Sequence, residues 1–189
     1  MPLRHKNSTQ WLTRVALLTG FGLALYLFES LIPRPLPWIK PGLANIATIV
    51  ALYTLGPAAA CIVSMLRCVL GSLVGGTLMS PSFWLSICGA ASSVTAMIIV
   101  RRLGKKIFSI IGVGMIGAFA HMLTQVTVAG FLVVGDEAIL ILLPSMLLSS
   151  LITGLIVGYA SHLIVARIAP QPASPLPVHE SRRGSDNVG

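Results

Sequence analysis

Six apolar stretches, roughly 11–32, 43–56, 57–79, 81–100, 107–133 and 138–168, take up most of this 189-residue chain. Backbone groups inside a bilayer have no water to bond, so each stretch must satisfy its own, as a helix does. A span takes about 20 residues. The second stretch is short, and Gly56-Pro57 joins it to the third; proline suits a helix start, which predicts a tight hairpin there. The last stretch is longer than a span needs and is expected to open with a surface helix near Glu137–Leu143, before Pro144. Charged residues make up 10% of the chain, against about 25% in soluble domains, and the mean hydropathy is +0.90. The expected fold is therefore all-α: a polytopic six-helix transmembrane bundle over 11–169, between a cytoplasmic N-terminus (1–10) and a proline-rich, disordered cytoplasmic tail (170–189). Met1 to Phe28 begins like a signal peptide, but the apolar stretch runs on to Ile32 with no small-x-small cleavage site, so it reads as an uncleaved first helix.

The net charge of +8 would suggest nucleic acid in a soluble protein. Here the basic residues cluster at the ends of apolar stretches, where they set topology and touch anionic lipid. Arg4, His5, Lys6 and Arg14 precede or open the first helix. Arg101, Arg102, Lys105 and Lys106 fill the loop after the fourth, and Arg167, Arg182 and Arg183 follow the sixth. Asp136 and Glu137 lie in the loop before the sixth. The positive-inside rule then puts both termini in the cytoplasm. Arg34 and Lys40 fall in an outer loop, which suits work on an anionic group. That loop carries Pro33, Pro35, Pro37 and Pro41, so it is stiff, and Trp38 suits an interfacial anchor. It reads as a lid or as a rigid connector.

Arg67 stands in the middle of the third stretch. A charge at that depth costs roughly 3 kcal/mol on insertion scales and is kept where it pairs or faces a polar cavity. Other polar groups collect from mid-depth outward: Glu29 near the outer end of the first helix, Asn45 at the start of the second, His121 and Gln125 four apart on one face of the fifth, and Thr153 in the sixth. Each has a structural alternative, including a Glu29–Arg67 ion pair. Together they describe a pocket open to the outside. Ala16, Gly20 and Ala24 repeat every four residues on the first helix, as do Gly71 and Gly75 on the third and Gly154 and Gly158 on the sixth. Such spacings let helices approach closely.

Catalysis has little to work with. No Walker A, Gly-x-Ser-x-Gly or His-Glu-x-x-His sequence occurs. The chain has five acidic residues, with only Asp136 and Glu137 adjacent, and diphosphate chemistry on magnesium needs clustered carboxylates. Cys61, Cys68 and Cys88 read as small packing residues without metal-ligand spacing. The chain is expected not to be an enzyme and to need no metal or cofactor.

The run Glu29-Ser-Leu-Ile-Pro-Arg-Pro-Leu-Pro-Trp-Ile-Lys40-Pro-Gly42-Leu-Ala-Asn45-Ile resembles the signature of the Gx transporter family, also labelled heptaprenyl diphosphate synthase component I. Arg67, Ala120-His121-x-x-x-Gln125, Leu143-Pro144 and Ser150-x-x-Thr153-Gly154-Leu155 extend the resemblance over about 12–168. Met122 departs from it, where a polar Asn is expected beside the histidine. The family in turn is similar to the substrate-binding components of energy-coupling factor transporters. That likeness implies uptake of a small polar or anionic molecule, a shared transmembrane coupling subunit docked on Ala16, Gly20 and Ala24, and two ATPases. Glu29, Lys40, Asn45, Arg67, His121, Gln125 and Thr153 would bind the substrate. The other family label implies a different role: a non-catalytic membrane partner of a soluble prenyl diphosphate synthase, docked near Arg101–Lys106.

Overall fold

The computed structural model describes residues 3–31, 42–104, 107–130 and 136–168, with side chains from 8 in the first segment and from 143 in the last. The proline loop with Arg34, Trp38 and Lys40, the lysines at 105 and 106, and the tail expected over 170–189 lie outside the described residues. Six helices follow in chain order: α1 (Leu3–Leu31), α2 (Asn45–Thr54), α3 (Pro57–Val74), α4 (Pro81–Leu103), α5 (Ile110–Ala129) and α6 (Asp136–Ile168). There is no strand among the described residues. All but α2 contain a stretch of 18 or more residues apolar enough to cross a bilayer.

α2 is the short one of the six helices. Its 10 residues rise only about 15 Å, half of a hydrocarbon core about 30 Å thick. Asn45 to Leu52 are all buried, as befits a helix that is apolar on every side. The five long helices form an arc in the order α1, α3, α4, α5, α6, and α2 fills its centre. α6 and α1 end the arc, and each packs on α2 much more than on the other. The outer face of the arc carries exposed Leu17, Phe28, Leu148, Ile152 and Leu155, an apolar belt suited to lipid.

The hairpin expected at Gly56-Pro57 is present. Gly56 has φ of +99°, a left-handed value that favours glycine, and Pro57 opens α3. α6 does not break before Pro144, contrary to the expected surface helix; it runs through as one helix of 33 residues. Spanning helices tolerate proline where neighbouring groups make good the missing bond. Arg101 and Arg102 belong to the last turn of α4 rather than to a loop.

α5 and α6 touch backbone to backbone. A Cβ on Gly114 would lie 2.7 Å from the Cα of Gly158, and one on Gly154 would lie 2.9 Å from the Cα of Met115. The small residues of α6 therefore serve internal packing. Cys61, Cys68 and Cys88 are free thiols. Gly158→Ala puts a Cβ 2.8 Å from the Ile111 backbone and is expected to cost about 1–3 kcal/mol, read as a lower thermal unfolding midpoint in detergent. Gly20→Ala meets nothing within 4 Å and is expected to leave that midpoint unchanged or raise it.

Candidate functional site

α1 buries Val15, Thr19, Gly22, Tyr26 and Glu29, spaced alternately four and three residues apart, so one stripe of the helix faces the bundle. Glu29 ends that stripe and is 1% exposed. Its Oε1 accepts hydrogen bonds from the N–H groups of Gly42 and Leu43, the latter at 3.3 Å. These are backbone donors just ahead of α2, where no side chain of the cap residue Ala44 bonds. A carboxylate is well placed there, because the free N–H groups and the dipole of a helix N-terminus favour negative charge. Gly42 has φ of +86°, a conformation that favours glycine. The other end of α2 meets a cation. The Arg101 guanidinium donates to the Leu52 carbonyl and sits 4.6 Å from the centre of the Tyr53 ring.

Asn45 is the first residue of α2, and its Oδ1 accepts a 2.5 Å bond from Nη2 of Arg67. Arg67 is 3% exposed. It lies seven residues before Val74, the end of α3, so α2 begins about 10 Å below that end. Gly22 makes room for the arginine stem, since a Cβ there would lie 3.3 Å from its Cδ. On the far side, His121 and Gln125 of α5 close against Gly89 of α4, where a Cβ would come within 2.9 Å of the imidazole and 3.0 Å of Gln125 Cγ.

These groups converge. Tyr26, Glu29, Gly42, Arg67, Cys68, Ser86 and His121 line one internal cavity of about 10 Å³, room for a single water. Gln125 is fully buried, and neither atom of its amide has a hydrogen-bond partner among the described residues; the Arg67 Nε and the Ser93 hydroxyl are also unmet there. A buried polar group in that state is costly unless water or a ligand meets it. The cluster therefore offers donors and acceptors inward, and anything larger than water must part the helices to reach them.

The structure thus brings Glu29, Asn45, Arg67, His121 and Gln125 to one place. Thr153 spends its hydroxyl on the Ser149 and Ser150 carbonyls of its own helix, and Lys40 lies outside the described residues. Ala16, Gly20 and Ala24 are exposed on α1. Tyr26, Cys68, Ser86 and Gly89 were missed from sequence. Ser86, Ala90 and Ser93 do share one small-residue face of α4, the only signal that could have found that wall. No group of three or more metal-ligating side chains occurs among the described residues.

The family described as heptaprenyl diphosphate synthase component I matches residues 18–164, a stretch that holds the whole cluster. No curated protein and no solved structure matches the chain.

Glu29→Ala leaves the Gly42 and Leu43 N–H groups unanswered and is expected to cost about 1–3 kcal/mol for each. Glu29→Gln, which keeps an acceptor, is expected to cost less; thermal unfolding of the two variants checks the order. Gln125→Leu removes two unmet buried atoms and is expected to hold or raise the midpoint.

Proposed function

The chain belongs to the heptaprenyl diphosphate synthase component I family, and from that premise we propose that it is a non-catalytic membrane partner of a soluble prenyl diphosphate synthase. The match over 18–164 carries this reading. The chemistry of the chain agrees with it. Five acidic residues in the whole sequence are too few and too scattered to hold magnesium on a diphosphate, so the catalyst would be another chain. A long-chain prenyl diphosphate leaves water for lipid, and a synthase held against the bilayer would release its product where it is stable. The basic end of the bundle, with exposed Arg102 and Arg167, would dock the synthase and face the cytoplasm of the inner membrane, with both termini on that side.

One observation favours a second reading. The fully buried Gln125 amide, without a hydrogen-bond partner among the described residues, shares a helix face with His121, which lines the same cavity as Arg67; this suits a small-molecule site inside a bundle, as a substrate-binding transport component would need. In that reading Glu29, Asn45, Arg67, His121 and Gln125 contact the ligand, with Lys40 and Thr153 at its margin. Ala16, Gly20 and Ala24 would dock a transmembrane coupling subunit served by ATPases.

Gentle extraction of the tagged protein from its own membrane, followed by native mass spectrometry, separates the two. The first reading expects a soluble prenyl synthase in the complex and a fall in long-chain prenyl diphosphate when the chain is deleted. Co-purifying ATPases with a small-molecule adduct, and unchanged prenyl output, would overturn it in favour of transport. Combined Arg67→Ala, Asn45→Ala and His121→Ala is then expected to abolish uptake.

A further inference from the structure

The arc of helices has a gap. α1 and α6 both pack on α2 and hardly on each other, and a groove of about 510 Å³ lies between them. That volume falls within the usual range of small-ligand pockets, about 300–1,000 Å³. Leu17, Leu18, Val50, Leu55, Val165 and Ile168 supply its apolar wall. Leu17 and Ile168 are exposed on the outer face of the bundle, so the groove opens sideways, toward lipid.

Its polar end is made by Arg14, Tyr53 and Thr54. Two helix C-termini, those of α2 and α6, finish nearby, and their partial negative charge opposes an anion. Each has its own cation. Arg101 donates to the Leu52 carbonyl of α2, and Arg167 sits in the last turn of α6. Arg14 is different: it makes no hydrogen bond or ion pair among the described residues, and it lines the groove. An apolar groove that opens sideways, with a guanidinium that has no partner among the described residues at its polar end, fits the head and first apolar units of an amphiphile with a phosphate-type head.

We propose that this groove receives the head end of a long-chain prenyl diphosphate, with the first isoprene units against Leu18, Val50 and Val165 and the diphosphate at Arg14. The choice of a prenyl chain over an ordinary lipid rests on the synthase-partner reading above; the charge and shape of the groove do not. The buried Arg67 cluster shares no residue with this groove and takes no part.

The test places the purified protein in nanodiscs of zwitterionic phosphatidylcholine. Heptaprenyl diphosphate, heptaprenol and phosphatidylglycerol compete for it, with retention read by native mass spectrometry. The diphosphate is expected to be held about tenfold or more above heptaprenol, the gain typical of charge-assisted hydrogen bonds. Arg14→Gln is expected to remove that preference, and Arg14→Lys to keep most of it. Leu17→Trp, at an exposed position, is expected to fill the groove and reduce retention of both prenyl compounds. Equal retention of heptaprenyl diphosphate and phosphatidylglycerol would mean that bilayer lipid alone fills the groove, and an Arg14→Gln variant that binds as the parent does would mean that the diphosphate is not held there; either would overturn the proposal. Synthase co-purification, followed on the same variants, keeps the two ideas apart. Preferential binding without a synthase preserves the groove and sinks the partner reading; a bound synthase without preferential binding does the reverse.

Discussion

A ten-residue helix buried from Asn45 to Leu52 leaves backbone groups at its two ends that its neighbours help to satisfy. In this protein two charged side chains from neighbouring helices share that task. The Glu29 carboxylate takes the N–H groups of Gly42 and Leu43 ahead of α2, and the Arg101 guanidinium takes the Leu52 carbonyl at its close. The signs match the helix dipole at each end. This constraint ties α1 and α4 to the centre of the bundle, and the arc of long helices is built around it.

The same constraint makes the candidate site. The first residue of α2, Asn45, meets the Arg67 guanidinium directly, seven residues short of the end of α3. Glu29 both ties down the chain ahead of α2 and lines the cavity. Anything that displaced the Gly42 and Leu43 contacts would therefore loosen the start of α2 and open the cavity together. Glycines at 22 and 89 let the polar groups of α3 and α5 come close. At the opposite end of the bundle, the arc of five helices does not close round α2, and the α1–α6 gap follows from that geometry.

Much of this was legible in the chain. Apolar length located six helices. Gly56-Pro57 marked the turn before α3, and a charge stranded in an apolar run pointed to Arg67. The i, i+4 rule put His121 and Gln125 on one face, and both are buried there. Other features were not legible. Apolar length alone does not say whether a short helix spans a membrane or is enclosed by other helices, so the sequence left open whether α2 spans. Arg101 looked like a topology signal, since a cation at a helix end has the same sequence signature whether it meets lipid or a carbonyl. Pro144 looked like a break, because its missing N–H matters only when no neighbouring group compensates.

Local chemistry along the chain determined which segments are helical, which of them suit lipid, and which polar residues are too costly to be there by accident. Each of these depends on groups a few residues apart. Tertiary structure alone decided that α2 sits at the centre, that Glu29 and Arg101 meet its two ends, and that Ala16, Gly20 and Ala24 are left exposed while Gly114 and Gly158 meet backbone to backbone. Those outcomes depend on which helix faces which, and that is set by the packing of all six at once.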